Sequence, residues 1–485
     1  MRLSHTSWAR RALLLAAALL PLACATNPAT GRREIMLISQ DQEIAMGREY
    51  DPQIVASIGL YPDTAVQRYV QELGARLAAQ SERPGLPWTF RVLDDPTVNA
   101  FAVPGGFIYI TRGIMAHLGS EAQLAAVIGH EIGHVTARHS ASQMSQQQLA
   151  QIGLAVGAAV SERFAQYADL AGQGLGVLFL KYSRDDESQA DALGLRYMRK
   201  TNHDVREMPP VFAMLASLNP AGEGGKMPEW MMTHPAPEDR FTRISALIQR
   251  QPQDTTGAIV LRDAYLRRLD NVVYGVDPRN GFFVGDRFHH PTMRFSLTFP
   301  AGWQKKNEAA AVTAMAPTND AALQLTLAKE TTAAAAAQAF AQQQGLQATS
   351  PTAQSVNGLT ASSTSFAAVA EGDTLRGAAT WVQHNNAVFQ LLGYTPATKW
   401  STHQAAITTA LRSFAVLTDR TLLNVQPQRV DVITVDRRGS ISELLARRPS
   451  PLTADQLALL NQVRVGEPLA VGRVIKWVVG SRLPQ

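Results

Sequence analysis

The residues best placed to do chemistry are His130-Glu131-Ile132-Gly133-His134. On a helix, two histidines four apart project from one face, so both imidazoles can reach a single metal ion. The glutamate beside the first histidine sits close enough to a water on that metal to accept its proton. The chemistry this pattern points to is metal-assisted hydrolysis, in which the metal polarises a carbonyl and brings the pKa of its water toward about 7. The chain holds one cysteine, Cys24. That excludes an all-cysteine zinc site and an intramolecular disulfide framework, so a bound metal must be held by histidine and carboxylate.

A catalytic zinc takes three protein ligands and keeps a fourth position for water. The next cluster along the chain is Ser183-Arg184-Asp185-Asp186-Glu187-Ser188-Gln189-Ala190-Asp191. Ser183 stands as a helix N-cap, with acids in the first turn where the helix dipole favours them. Glu187 and Asp191 are four apart and share a face. They read either as a third ligand with a carboxylate behind one of the imidazoles, or as the solvated start of a helix; the spacing leaves both open.

The elements that must position these groups show in the periodicity. Ser120-Glu121-Ala122-Gln123 reads as a capping box that opens the histidine-bearing helix. Leu124, Val127, Ile128, Ile132 and Val135 supply its buried stripe. Before it, residues 98–110 read as two short extended pieces around the turn Gly105-Gly106. The interval 150–180 is rich in Ala, Gly and Leu, but Ser161-Glu162-Arg163 and Asp169 cut it into pieces too short to cross a bilayer, and it reads as a helical lid. Gly222 to Gly225 supply a flexible loop just before His234.

The ordered motifs resemble the M48 family of zinc metallopeptidases, in its bacterial secreted branch. The likeness rests on His130-Glu131-Ile132-Gly133-His134, the Glu187-x-x-x-Asp191 helix, and Thr233-His234-Pro235 with Arg240. It extends to Asn27-Pro28-Ala29-Thr30-Gly31-Arg32, Asn99-Ala100-Phe101-Ala102 and Gly105-Gly106-Phe107-Ile108-Tyr109. The resemblance implies that His130, His134 and Glu187 ligate Zn²⁺, that Glu131 is general base and then acid, and that Asp191 supports the ligands. It implies that Asn99 and the strand of Phe107, Ile108 and Tyr109 hold substrate as an added antiparallel strand, a mode that reads backbone more than side chain. His234 would be a transition-state stabiliser or a switch that occupies the open zinc position, and Arg240 would pair with a carboxylate of the site. His117 and His139 fall outside the pattern and read as structural.

The same resemblance implies an endopeptidase of the bacterial envelope acting on misfolded or stalled outer-membrane proteins, with outer-membrane assembly machinery as a candidate partner. The competing reading is a periplasmic chaperone or assembly factor whose zinc site is latent or vestigial.

Arg2, Arg10 and Arg11 precede the apolar run Ala12 to Leu20 and then Pro21-Leu22-Ala23-Cys24, which is the layout of a signal peptide over residues 1–23. Cys24 reads as the lipid-bearing first residue of a lipoprotein, although Pro21 stands where such signals usually carry leucine. With no aspartate after Cys24, that reading implies an outer-membrane lipid anchor. Ordinary cleavage after Ala23-Cys24-Ala25 would leave a soluble periplasmic protein. Taking the three arginines off the net charge of +5 leaves about +2, too little to argue for nucleic acid.

At 485 residues, 46% hydrophobic and 18% charged, the chain has globular composition and room for several domains. The expected fold class is α+β: a mainly helical zincin-type domain with a small sheet over residues 24–268, then two smaller modules. Residues 285–418 read as an α+β module, with strands from Phe295, over 323–327 and over 380–392, flanking a helix over 332–344. Its phrase Phe299-Pro300-Ala301-Gly302-Trp303 resembles the start of a PsbP/Mog1-like domain. Residues 428–481 read as strand, helix, helix, strand and resemble a LysM-type module, which implies peptidoglycan as a partner. Ser440 follows Gly439 where such modules more often carry an acid, so a plain packing role stands beside glycan binding.

Overall fold

The histidine-bearing helix begins at Ser120, whose hydroxyl accepts the backbone N–H of Gln123 at 3.1 Å. The reciprocal half of the expected capping box is displaced by one residue: Gln123 Oε1 takes the N–H of Gly119, at 2.6 Å, instead of that of Ser120. At the downstream helix the reciprocal bonds form in full between Ser183 and Asp186. The computed structural model describes residues 24–155, 181–218, 230, 234, 237–370 and 373–484. The expected signal peptide, most of the 150–180 lid and the loop Gly222 to Gly225 lie outside the described residues.

Two compact units divide the chain. The first takes residues up to 55, 59–272 and 430–478; the second takes 56–58, 273–429 and 479 onward. In the first unit β1 (Cys24–Thr26) pairs antiparallel with β2 (Arg33–Ile35), and helices α1 (Gln40–Ile58) and α2 (Thr64–Ala78) follow. A three-stranded sheet has the order β3 (Thr89–Leu93), β5 (Phe107–Thr111), β4 (Ala100–Val103), with β3 parallel and β4 antiparallel to the central β5. Gly105 and Gly106 turn the chain between β4 and β5 at φ of 89° and 102°, values that side-chain-bearing residues rarely adopt.

Helices α3 (Arg112–His117), α4 (Glu121–Thr136), α5 (His139–Ala155) and α6 (Arg184–Lys200) come next, then α7 (Met208–Ser217), α8 (Pro237–Arg250) and α9 (Arg262–Arg268). Helix α4 carries the two histidines. Its sequence suggests one apolar stripe, yet all 16 of its residues are buried, because other elements cover every face of it. Its C-terminal carbonyls, which lack helical partners, are taken by side chains. Arg83 donates to Val135 O at 2.9 Å and Asn27 donates to Ala137 O at 3.1 Å. The chain then turns through Arg138 at φ 61°. That strained conformation is offset by bonds from its guanidinium to Glu43 at 3.2 Å and to Ile38 O at 2.7 Å.

The second unit is built on an eight-stranded sheet whose main path runs from β12 (Leu346–Ala348) through β14 (Leu359–Ala370), β15 (Asp373–His384) and β16 (Ala387–Pro396) to β11 (Ala322–Leu327), β10 (Val312–Met315) and β9 (Gln304–Asn307), with β13 (Thr352–Val356) paired to β14 off that path. A four-stranded sheet of order β17 (Ala415–Val416), β8 (Phe295–Thr298), β7 (Arg287–His290), β6 (Phe282–Val284) and the short helix α12 (Arg420–Leu423) belong to the same unit. The expected single strand over 380–392 is two: Asn385 and Asn386, both at positive φ, reverse the chain between β15 and β16. Helix α10 (Ala333–Ala341) packs Phe340 against Trp381 on one face, while Val382 and Phe389 face a second core with α11 (Trp400–Leu411). Adjacent residues 381 and 382 serve opposite faces, as strand geometry requires.

The C-terminal segment adds β18 (Arg429–Thr434), α13 (Ile441–Arg447), α14 (Ala454–Leu460) and β19 (Val474–Val479), with the two strands paired. Residues 430–478 belong to the first unit. Lys476, 1% exposed, donates through Nζ to Ala116 O and Leu118 O at 2.7 Å each, and Gln462 donates to His117 O at 3.0 Å. The segment is thus bonded to the junction that leads into α4. His117 at that junction is partly buried, and desolvation pushes its imidazole down to about 4. The unfolded chain takes up that proton near 6.5, so its contribution to stability is complete above about pH 6.5 and is lost as pH falls toward about 4. Urea denaturation in chelator should show this loss, up to about 3 kcal/mol, and His117→Gln should flatten the wild-type curve between those pH values.

Candidate metal centre

Helix α4 projects His130 and His134 one turn apart, with their Nε2 atoms 3.0 Å from each other. Helix α6 brings Glu187 beneath them, Oε1 at 3.4 Å from His134 Nε2 and Oε2 at 3.6 Å from His130 Nε2. Glycines allow this approach. A Cβ on Gly133 would stand 2.8 Å from Ala190 O, and one on Gly194 would stand 2.9 Å from His130 N. His234 completes the group, with Nδ1 at 2.7 Å from Glu187 Oε1 and 3.4 Å from His130 Nε2.

All four residues are buried, and their donor atoms lie within 4.8 Å of one another. A tetrahedral zinc with ligands at about 2.0–2.2 Å sets its ligand atoms about 3.4 Å apart; the separations above run from 2.7 to 3.6 Å. The donor set of nitrogen and oxygen suits zinc. Among the described residues, Glu131 Oε2 is buried beside this group with no hydrogen-bond partner, which also fits a missing polar occupant.

Each imidazole is held from behind. Asp191 Oδ1 lies 2.9 Å from His130 Nδ1, which assigns the proton to Nδ1 and points the Nε2 lone pair inward. Burial alone would raise the Asp191 carboxyl, but Arg240 and His130 hold it well below the carboxylate range. Arg240 pairs with Asp191 at 2.6 Å and with Glu187 at 2.8 Å, and Arg243 adds a bond to Asp191 at 2.8 Å. Glu187 is likewise pushed up by burial and brought well below its ordinary range by His234, Arg240 and His130. Burial raises the Glu131 carboxyl, and its Oε1 is 3.8 Å from His234 Nε2.

His139, read from the sequence as structural, stands behind His134. The two Nδ1 atoms are 2.9 Å apart, and His139 Nε2 is 2.9 Å from Gln189 Oε1. The amide oxygen only accepts, so the proton of His139 is on Nε2. Its Nδ1 lone pair then receives the proton of His134 Nδ1, which leaves His134 Nε2 free to ligate. Tyr182 stacks on the His134 ring at 3.8 Å. Helical spacing hides His139, because the break at Arg138 separates it from α4. The signal that remained was a histidine at the first position of the next helix, with Gln189 two residues beyond Glu187.

A pocket of about 50 Å³ opens beside His130 and Glu131, walled by Asn99, Val127, Met208, Phe212 and Trp230 among others. The Phe107, Ile108 and Tyr109 strand does not offer the edge expected of it. It is the central β5, paired on both sides and buried throughout, so no added strand can bond to it. Tyr109 spends its hydroxyl on Asp51 at 2.9 Å. The sheet edge nearer the pocket is β4. Asn99, just before it, holds a buried Oδ1 with no partner among the described residues. His117 lies elsewhere, bonded to Gly113 O at 2.8 Å.

Two histidines on one helix and a glutamate from a second define a zinc site of the HExxH…E class. Residues 64–248 match Peptidase family M48, the segment that carries the two histidines, Glu187 and His234. Over 251 residues it is 30% identical to the beta-barrel assembly-enhancing protease of Yersinia pestis, covering 50% of this chain and 50% of that protein. Over 226 residues it is 31% identical to the protein of the same name from Escherichia coli (strain K12), covering 44% and 46%. The chain therefore spans about half the length of the curated relatives it matches. Among solved structures it is similar to cyanobacterial PsbP from Synechocystis sp. PCC 6803, at 15% identity and a TM-score of 0.23, over 28% of this chain and 94% of that one. So low a score lends no support to the PsbP/Mog1-like or LysM-like readings.

The bond behind His134 is open to test. His139→Ala should raise the zinc dissociation constant about 10- to 100-fold, measured by competition with a chromophoric chelator, whereas His117→Ala should leave it unchanged.

Proposed function

We propose that this protein is a zinc-dependent endopeptidase of the bacterial envelope. The observation that carries this reading is the buried cluster of His130, His134, Glu187 and His234 with Glu131 at its rim. A zinc ion held there supplies Lewis-acid chemistry for hydrolysing a peptide carbonyl. Glu131 accepts a proton on its carboxylate and returns it to the leaving amide nitrogen; a carboxyl raised by burial suits both halves of that task. Asp191 and His139 hold the two ligating imidazoles in the tautomers that present Nε2, and Arg240 keeps Glu187 and Asp191 ionised.

In this reading the substrate adds to β4 as a further strand. Thr111 N donates to Asn99 O, and the β4–β5 register then turns the backbone groups of Phe101 and Val103 toward β5. Those of Ala100 and Ala102 are left for a substrate, since hydrogen-bonded and non-bonded positions alternate along an antiparallel pair. Asn99 Oδ1 is free to accept a substrate N–H, and the neighbouring pocket takes an apolar side chain. His234 fills the fourth donor position in the resting cluster. Displaced from it, its N–H can steady the developing oxyanion. That position of His234 is also what favours the second reading, a chaperone or assembly factor with a latent site.

The relatives' name, beta-barrel assembly-enhancing protease, supports a role beside the assembly of beta-barrel proteins, and quality control of misfolded or stalled outer-membrane proteins is the form of that role proposed here. We place the protein in the periplasm. Among the described residues no helix is long and apolar enough to cross a membrane, and attachment through a lipid on Cys24 is part of the proposal. For residues 428–481 the bonds of Lys476 and Gln462 to the first unit support a packing role over peptidoglycan binding.

Purified protein should contain one equivalent of zinc. Glu187→Gln should lose most of it, while Glu131→Gln should keep it and cleave an unfolded outer-membrane protein about 10²- to 10⁴-fold more slowly. A folded wild-type chain that holds no zinc even after zinc is added would end the peptidase reading and leave the chaperone.

A further inference from the structure

Helix α7 is a wall shared by two cavities. Met208, Val211, Phe212 and Leu215, at spacings of three and four, line the pocket beside His130 and Glu131. Pro210, Ala213, Met214 and Ser217, with the same spacing, line a separate hollow of about 750 Å³, as opposite faces of one helix do. Helix α4 serves both as well, giving Gln123 to the hollow and Val127 and Glu131 to the pocket. Neighbouring residues of α8 divide in the same way, Phe241 to the hollow and Arg240 to the pocket. The far wall of the hollow comes from the C-terminal segment.

The hollow is short of negative charge. Arg262, Arg464, Arg473 and Lys476 line it against only Glu207 and Glu467. Glu207 Oε2 is already engaged by Ser120 Oγ at 2.7 Å and Gln123 Nε2 at 3.1 Å. Glu467 is held loosely by Arg473, at 3.5 Å, and takes the backbone N–H of Arg464. Among the described residues no carboxylate pairs with Lys476, whose Nζ meets two carbonyls, and none pairs with the side chain of Arg464. Burial and the neighbouring Arg262 hold the Lys476 ammonium well below its ordinary value, so the charge of the hollow rests on its arginines. Burial first, and then Arg473, hold the Arg262 guanidinium below its ordinary value despite its pairing with Asp263 at 2.9 Å. Beside these cations lie Met214 and Phe241, the latter 42% exposed.

Cations set next to an exposed aromatic side chain complement a carboxylate carried beside an apolar group, and the volume falls in the range of ligand sites. We propose that this hollow is an exosite that binds a polypeptide segment through one of its carboxylates, with a neighbouring apolar side chain against Phe241. Arg464 and Arg473 form the outer pair that meets the carboxylate, and Arg262 adds positive potential beside them. A bound segment rests on the outer face of α7, whose inner face walls the candidate active site. The exosite requires neither zinc nor cleavage, so it stands or falls apart from the peptidase reading.

The test uses the full chain as Glu131→Gln, stripped of zinc so that no probe is cut, and a fluorescein-labelled octapeptide of alternating leucine and glutamate followed by anisotropy. The peptide should bind, its glutamine counterpart should bind at least tenfold more weakly, and adding Arg464→Gln with Arg473→Gln should weaken the acidic peptide at least tenfold. Neither arginine side chain makes a close hydrogen bond, so the melting temperature should hold. Equal binding of the two peptides, or affinity indifferent to the double substitution, would overturn the proposal. Full displacement of the peptide by millimolar inorganic phosphate would also overturn it, by marking a site for small anions. Phe241→Ser should weaken the leucine-containing peptide and leave a serine–glutamate analogue unchanged; no effect on either would remove the apolar half of the assignment.

Discussion

The metal centre depends on how closely two helices can approach. Helix α6 lies against α4 at Gly129, Gly133 and Gly194, where an added Cβ would meet backbone of the facing helix at 2.8–3.2 Å. Only at that separation can Glu187 reach the Nε2 atoms of two histidines on α4, and Asp191, one turn on, reach the back of His130. Gly133 lies inside the histidine motif itself, so the motif encodes the packing as well as the ligands. A larger residue there would push backbone against backbone, which has no rotamer with which to yield.

The second constraint is charge. Three carboxylates, Glu131, Glu187 and Asp191, are buried within one site, and two arginines of α8 enter from the other side. Asp191 is saturated by bonds to Arg240, Arg243 and His130 and is held ionised. Glu131 has little such support and is raised by burial. The same residue type in one site is thus separated into a fixed anion and a proton acceptor by its neighbours. Removing one partner of such a cluster leaves an uncompensated buried charge, so these residues act as a group.

The framework around α4 explains why distant parts of the chain matter. Asn27 and Arg83 cap its end, and the C-terminal segment, more than three hundred residues further on, is bonded to the junction at its start. A helix buried on every side cannot shift alone, so the histidines are held by residues far from them in sequence. Helix α7 adds a link of a different kind, since its two faces belong to two cavities.

Local chemistry was readable from the chain alone. The spacing of His130 and His134, the cap at Ser183, the glycine turn before β5 and the strand–helix–helix–strand order of the last segment are set by neighbours within a few residues, where steric and hydrogen-bonding rules act directly. Partnership across the fold was not. The sequence of β5 reads as a strand, but whether a strand is central or at an edge is decided by which strands pair with it. That choice moves the open edge from Phe107, Ile108 and Tyr109 to β4. His139 is separated from His134 by a helix break, and Gln189 by a further fifty residues, so their relay exists only once α6 packs on α4. The attachment of Lys476 to the helix junction likewise depends on contacts across more than three hundred residues. The sequence by itself determined which residues could ligate, cap and turn; the tertiary structure decided which of them meet, because side-chain partnership follows from packing distance and not from spacing along the chain.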